Sequence, residues 1–129
     1  MATYLLDTSV IIDAINEKKS RRQLLRALVE EGHLLACCPI NVSEVYAGMR
    51  PKEEAVTTEL LRSLRYYPIS FETAELGGRL RREYGRKGST LSVTDTLIAA
   101  VAIHQGLTLV TDNARHFPMK DLALFALPN

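Results

Sequence analysis

The sequence predicts an α/β fold in which a central, mainly parallel sheet is flanked by helices on both faces. Short apolar runs of strand length alternate along the chain with longer segments of helical periodicity. No repeat, low-complexity tract or long linker interrupts this alternation. The chain has 129 residues, of which 47% are hydrophobic and 24% charged, a globular composition. We therefore expect residues 1–129 to form a single domain.

The first elements form a strand followed by two helices. Thr3–Leu6 is typical of a short buried strand, and Asp7 precedes a helix that begins at Val10. A second, amphipathic helix is expected over Ser20–Glu31, with Arg21 on one of its polar faces. Its apolar stripe comprises Leu24, Leu25, Leu28 and Val29.

A second strand–helix unit follows. Leu34–Cys38 has the composition of a buried strand, and Pro39 is well placed to begin a helix that carries Glu44 and ends near Met49. Another amphipathic helix is expected over Lys52–Arg65. Its apolar stripe comprises Val56, Leu60, Leu61 and Leu64.

The remaining elements begin after residue 66. The first of them is a short strand that contains Pro68, and this residue weakens the prediction because proline cannot donate to a strand ladder. Gly106 is expected to cap the second of two helices. In order, these elements are a strand at Tyr67–Ile69, helices over Phe71–Arg86 and Ser92–Gln105, a buried strand at Leu107–Val110 and an edge strand within Leu122–Leu127.

Charge and cysteine usage exclude several classes of protein. The formal net charge is only +1, so a nucleic-acid partner would have to be held by a local basic surface. Cys37 and Cys38 are adjacent in a strand pattern, which favours buried thiols over a disulfide. No Cys/His cluster has zinc-ligand spacing. Because the sequence contains neither a secretory signal nor an apolar run of about 18 residues, we expect a cytoplasmic protein without membrane contact.

Four acidic residues fall at strand ends or near helix starts. Asp7 and Asp112 follow apolar strand patterns, Glu44 lies in the helix that begins at Pro39, and Asp95 opens the most apolar helix. In open α/β sheets, sites form beyond the carboxyl ends of the strands, so these four residues can converge there. Crowded carboxylates require a cation or shared protons to offset their repulsion.

Each acid also has a purely structural interpretation. Asp7 can cap a helix, Asp95 can form a capping box with Ser92, and Asp112 can stabilise a turn. Glu44 can be a solvated helix residue, although its neighbours are mostly apolar. The common location of all four favours a shared site. Such an oxygen-rich site suits Mg²⁺ or Mn²⁺ and predicts metal-assisted phosphodiester hydrolysis.

Four motifs also carry a family resemblance across nearly the whole chain. They are LLDTSVIID at residues 5–13, NVSEV at 41–45, TDTLIAA at 94–100 and LVTDNARHF at 109–117. Together they resemble the successive motifs of PIN-domain ribonucleases, and they are most similar to the VapC toxins of toxin–antitoxin pairs. The resemblance implies metal-dependent cleavage of RNA, with Asp7, Glu44 and Asp95 at the core acidic positions.

The resemblance extends to the fourth acid and to the small polar residues around the acids. The fourth acidic position aligns with Asp112 or with Asn113, of which we choose Asp112. Thr8, Ser9 and Thr111 match positions that hold carboxylates or metal-bound waters by hydrogen bonds. Capping alone would explain Thr8 and Ser9 equally well.

The resemblance further implies two protein partners: a second copy in a homodimer, and an antitoxin whose C-terminal segment covers the acidic pocket. The apolar stripes at residues 24–29 and 56–64 are candidate walls of a groove for this partner, although core burial is the commoner role of such stripes. A local basic cluster could neutralise RNA phosphates, although exposed charges of this kind are usually only solvated. It comprises Arg79, Arg81, Arg82, Arg86 and Lys87.

Two alternatives remain at the level of the sequence. A PIN-like module could bind RNA or protein without cleaving. A receiver-type phosphoacceptor domain also gathers acids and Mg²⁺ at strand ends, but the chain lacks paired acids after its first strand and a late Lys-Pro signal.

Overall fold

The computed structural model describes residues 1–128, and its five strands form one parallel sheet in the order β3-β2-β1-β4-β5. The elements are β1 (Thr3–Leu6), α1 (Thr8–Ile15), α2 (Arg21–Glu30), β2 (Leu34–Cys37), α3 (Pro39–Gly48), α4 (Glu54–Ser63), β3 (Arg65–Tyr66), α5 (Phe71–Arg86), α6 (Val93–Gln105), β4 (Thr108–Thr111) and β5 (Ala123–Ala126). The predicted α/β architecture is confirmed. Receiver domains order their strands 2-1-3-4-5, so the receiver alternative is wrong.

Successive strand residues supply the two faces of the sheet. In β1, Leu5 joins the core cluster beneath α5 and α6, whereas Leu6 joins the cluster beneath α1, α2 and α4. Leu109 and Val110 of β4 divide between the two clusters in the same way. All four side chains are fully buried. Helices therefore cover both faces, and β1 and β4 contain continuous apolar runs because neither face of these two strands meets water.

The predicted strand at Tyr67–Ile69 is wrong, because the strand lies two residues earlier. α4 ends at Ser63, and Arg65 and Tyr66 pair with Ala36 and Cys37 of β2. The amide of Tyr67 extends this ladder by one bond, 2.9 Å from the carbonyl of Cys37. Pro68 then ends the pairing because it has no amide hydrogen to donate.

Two details of the helices also differ from the sequence-based expectation. A 3-10 turn at Pro51–Glu53 precedes α4, so this helix begins two residues later than Lys52. Arg21 is not on a polar face of α2: it is 5% exposed and lies on the same side of the helix as Leu25 and Leu28. The spacing 21, 25, 28 continues the apolar stripe, and only tertiary partners make an arginine acceptable there.

α5 and α6 pack closely where the sequence has a pair of glycines. A β-carbon on Gly77 would lie 3.0 Å from a methyl carbon of Leu97 and 3.4 Å from the carbonyl oxygen of Thr96. A β-carbon on Gly78 would meet nothing within 4 Å. Gly77 therefore allows the two helices to approach, which fixes the start of α6. Within residues 1–128, no helix combines the length and apolar character that crossing a bilayer requires.

Candidate active site

Asp7 lies at the junction of β1 and α1. As N-cap of α1, its Oδ1 accepts a hydrogen bond of 2.9 Å from the amide of Thr8, and its Oδ2 accepts one of 2.7 Å from the hydroxyl of Thr111. The residue is only 6% exposed. Burial raises the pKa of its carboxyl, and the charges of Asp95 and Asp112 raise it further, against the lowering effect of the two hydrogen bonds.

Glu44 is joined to the same junction through Thr8. The hydroxyl of Thr8 donates to Oε1 of Glu44 over 2.7 Å and accepts a bond of 3.1 Å from the side-chain amide of Asn41. Asn41 is completely buried, and its Oδ1 caps the start of α3 by accepting from the amide of Cys38 over 2.9 Å. Asn41 thus sets the position of Thr8 relative to α3, and its part was not foreseen from the sequence.

Asp95 lies in the first turn of α6. The hydroxyl of Ser92 accepts from the amide of Asp95 over 3.0 Å, which is half of the expected capping box. Among residues 1–128 the carboxylate of Asp95 accepts no hydrogen bond, and it is 25% exposed. Its Oδ2 lies 3.7 Å from Nδ1 of His116. Asp95 is therefore the acid of the four whose carboxylate no donor within residues 1–128 holds, since Asp7, Glu44 and Asp112 each accept at least one hydrogen bond.

Asp112 lies directly after β4 and is 8% exposed. Its Oδ1 accepts from the hydroxyl of Ser9 over 2.9 Å, and its Oδ2 lies 3.4 Å from a guanidinium nitrogen of Arg21 and 4.0 Å from Nζ of Lys19. Asp112 thus has cationic partners within the chain, which the sequence did not reveal. Asn113, the other choice for the fourth position, donates its backbone N–H to the hydroxyl oxygen of Thr111 over 2.9 Å.

Arg21 is the largest departure from expectation at the site. Besides Asp112, it donates to the carbonyl of Pro128 over 2.6 Å, and so joins α2 to the segment after β5. Lys19 and Ser20, just before α2, have φ values of +56° and +57°, and Lys19 reaches Asp112 from this turn. The only sequence signal was the position of Arg21 in the apolar stripe of α2.

Three consecutive residues therefore tie three of the acids together. Asp7 is itself one of the acids, the hydroxyl of Thr8 donates to Glu44, and the hydroxyl of Ser9 donates to Asp112. The three acids are therefore all bound at the start of α1. Asp95 approaches from the start of α6, close enough for its charge to affect Asp7. In residues 1–128 no three aspartate, glutamate, histidine or cysteine side chains already stand in a metal-binding arrangement.

The donor chemistry nevertheless fits a hard divalent cation. Every acidic group here offers carboxylate oxygen, the ligand type that Mg²⁺ and Mn²⁺ prefer. Burial and repulsion by the other acids oppose ionisation of Asp7 and raise its pKa. A nearby cation would offset both effects and favour the ionised carboxylate.

The predicted basic cluster does not share a pocket with the acids. Arg79 pairs with Glu75 at 3.1 Å, Lys87 pairs with Glu83 at 3.4 Å, and Arg81 donates to the carbonyl of Leu91 over 2.9 Å. Arg81 and Arg82 line a groove of about 430 Å³ between α5 and α6. At 100° per residue, the α6 residues in this groove, Val93, Thr96 and Leu97, face away from Asp95.

A larger groove lies elsewhere, between α1, α2 and α4. It has a volume of about 810 Å³, and both apolar stripes singled out in the sequence contribute to it. Val29 of α2 and Val56 of α4 are 55% and 50% exposed on its walls. It adjoins Leu34 at the start of β2, at the opposite edge of the sheet from the acids.

Comparisons with known proteins agree with this architecture. The sequence model of the PIN domain matches residues 4–122. Ribonuclease VapC19 of Mycobacterium tuberculosis is 32% identical over 115 residues, covering 89% of this chain and 92% of the relative. Ribonuclease VapC10 of the same organism is 34% identical over 115 residues, covering 89% of this chain and 86% of the relative.

A solved structure agrees as well. The crystal structure of VapBC2 from Rickettsia felis, bound to a DNA fragment from its promoter, contains a chain that superposes with a TM-score of 0.85 at 27% identity. The match covers 97% of this chain and 98% of that one. The chain therefore belongs to the PIN-domain family, in the branch of the VapC ribonucleases.

Proposed function

We propose that this protein is a metal-dependent endoribonuclease, the toxin of a VapBC-type toxin–antitoxin pair, which hydrolyses RNA phosphodiester bonds at its carboxylate cluster. The observation that carries the proposal is the buried carboxylate of Asp7, whose pKa is raised by burial and by the charges of Asp95 and Asp112. Kinship with proteins named ribonuclease VapC supports the choice of RNA as substrate.

Asp7, Glu44 and Asp95 would hold Mg²⁺ or Mn²⁺, with Asp112 as the fourth acid of the site. When bound, the ion would acidify a water molecule and offset charge on the scissile phosphate. The residues of the chain supply the geometry. Thr8 and Thr111 fix both oxygens of Asp7, and Thr8 orients Glu44 through its hydroxyl.

Ser9 and Asn113 complete this supporting layer. Ser9 holds Asp112 through its hydroxyl, and the amide of Asn113 fixes Thr111 by donating to its oxygen. Asp95, whose carboxylate has no internal donor among residues 1–128, is the group best placed to receive a proton from the attacking water.

The direct test is RNA cleavage by the purified protein with and without Mg²⁺ or Mn²⁺. We expect Asp7→Asn and Asp95→Asn to lose at least about 100-fold in rate, because each removes a negative charge that would hold the metal ion. Equal cleavage by wild type and both variants would identify a contaminating nuclease. A folded protein that binds RNA without cleaving it would support the non-catalytic PIN-like alternative instead.

We also propose that the basic residues of α5 contact RNA outside the acidic pocket. The chain has a net charge of only +1, so these residues would supply much of the local positive charge, and their neutralisation should lower the affinity for RNA. The triple change Arg81→Gln, Arg82→Gln and Arg86→Gln should weaken RNA binding and flatten its dependence on salt. An unchanged salt slope would reject this role.

The proposed partners are a second copy of the chain and a VapB-like antitoxin, in the cytoplasm where RNA is available. The groove between α1, α2 and α4 is the best surface for an antitoxin segment. It is apolar, large and lined by side chains such as Val29 and Val56, which are exposed in the free chain. The VapBC2 complex from Rickettsia felis supports such a pairing.

A further inference from the structure

The outward face of α5 has features that the fold does not use. Phe71 is 78% exposed, and Gly78 and Gly85 have open space where a β-carbon would lie. These three residues recur every seven positions, so at 100° per residue each lies within about 20° of its neighbour on one line along the helix. The opposite face of α5, with Gly77 and Leu80, packs into the core.

We propose that this outward α5 face, formed by Phe71, Glu75, Gly78, Arg82 and Gly85, pairs antiparallel with the same face of a second copy around a two-fold axis at Gly78. Phe71 and Gly85 are both seven residues from Gly78. The axis therefore places each Phe71 over the bare backbone at Gly85 of the other copy. At the crossing point, glycine meets glycine and permits close approach of the two backbones.

The charges of α5 complement each other in this arrangement. The first half of the helix carries Glu72 and Glu75, and the second half carries mainly arginines, including Arg82 and Arg86. An antiparallel two-fold sets Glu75 beside Arg82 of the second copy, whereas a parallel pairing would set like charges together. The internal bond from Arg79 to Glu75 is exposed, so exchanging it costs little.

The neighbouring surface extends the apolar part of this face. The groove of about 430 Å³ between α5 and α6 borders Gly78 and Gly85, and Val93 on its other wall is 52% exposed. The inference takes the proposed homodimer further by naming its face. It involves no nuclease chemistry, so its failure and the failure of the proposed function are distinguishable.

Cross-linking of the full-length chain tests the two-fold axis. Gly78→Cys places one thiol of each copy at the axis, so mild oxidation should convert most of the protein into a disulfide-linked dimer. The native thiols of Cys37 and Cys38 are 1% and 0% exposed and should stay silent. The matched control is Gly48→Cys, which introduces the same side chain into open space on α3. Equal cross-linking of both variants, or of neither, would overturn the proposal.

Charge exchange tests the orientation without relying on a cysteine. By sedimentation velocity, Glu75→Arg and Arg82→Glu should each weaken dimerisation at least about tenfold, and the double variant should restore it. Circular dichroism checks that each variant is folded. A wild-type protein that stays monomeric at every concentration would overturn the proposal, as would single variants that remain fully dimeric. The latter result would assign Arg82 to RNA contact alone.

Discussion

The threonine hydroxyls around the acids each donate one hydrogen bond and accept another. Thr8 donates to Glu44 while accepting from Asn41, and Thr111 donates to Asp7 while accepting from the amide of Asn113. A hydroxyl can do both because it has one donor hydrogen and two lone pairs. The acids are therefore held in position although they repel one another.

The raised pKa of Asp7 leads to a prediction about stability. Its folded-state pKa lies above the unfolded value of 3.8, so ionisation of Asp7 costs the folded state stability at neutral pH, and the cost vanishes as pH falls below that value. Without metal, Asp7→Asn should therefore raise Tm at pH 7, with an advantage that shrinks towards pH 4. Thermal melts across this range, without and with Mn²⁺, measure the effect.

Metal provides the control for that experiment. Mn²⁺ should raise the Tm of the wild type, because binding to the folded state stabilises it, and should raise that of Asp7→Asn much less. A variant that is less stable than wild type at pH 7, or whose advantage is the same at every pH, would contradict the explanation.

Arg21 and Asp112 form a buried ion pair that can be measured directly. Arg21→Met leaves Lys19, whose side chain is 47% exposed, as the remaining cationic partner of Asp112, and should destabilise the fold by about 3 kcal/mol. In an Asp112→Asn background the same change should cost clearly less. Urea unfolding of the four proteins gives the coupling energy, and strictly additive effects would show that the pair does not interact.

At the scale of elements, the position of Asp95 depends on how α6 packs against α5. Ser92 and Gly106 begin and end α6, with Gly106 in the left-handed region at φ +67° as its cap. Gly77 sets the distance between the two helices. The geometry at the acidic cluster therefore depends on a residue that does not touch it.

Adjacent glycines in α5 allow a matched test of that dependence. At concentrations at which the chain is monomeric, Gly78→Ala should raise the free energy of unfolding by up to about 1 kcal/mol, since alanine is the better helix former and its methyl group meets nothing within 4 Å in the chain itself. Gly77→Ala should be less stable than Gly78→Ala and should slow RNA cleavage, because its methyl group pushes against Thr96 and Leu97. Equal stability and equal activity of the two variants would refute the role of Gly77.

At the scale of the whole molecule, the acids and the large groove lie at opposite edges of the sheet. Asp7 and Asp112 follow the carboxyl ends of β1 and β4, and Glu44 is joined to this end through Thr8, whereas the groove adjoins the start of β2. Changes in one region should therefore leave the other intact. This separation allows catalysis and partner binding to be tested independently.

Because of this separation, a change in the groove between α1, α2 and α4 can test partner binding alone. Val29→Glu with Val56→Glu should weaken binding of the cognate antitoxin by tenfold or more, since charge is placed on an apolar docking surface. RNA cleavage should stay at the wild-type rate, and unfolding free energy should change by less than about 0.5 kcal/mol per site, because both residues are exposed. Leu124→Glu, on β5, is the matched control. Undiminished antitoxin affinity would place the partner elsewhere.

The sequence by itself determined the order of strands and helices and the placement of Asp7, Asp95 and Asp112 at element ends. These features depend on local periodicity and capping, as in the α5 span Phe71–Arg86, which the sequence predicted to the residue. Pro68 made the predicted strand at Tyr67–Ile69 uncertain, but the sequence could not show that the ladder forms at Arg65 and Tyr66 instead, because pairing with β2 decides it.

Only the tertiary structure decided which groups meet. Arg21 looked like a solvated helix residue, and its burial depends on Asp112 and the carbonyl of Pro128, which are 91 and 107 positions away. The burial of Asn41 and the approach of His116 to Asp95 are of the same kind. A sequence reports what each residue prefers locally, whereas a charge in the interior is tolerated only when distant chain segments bring it a partner.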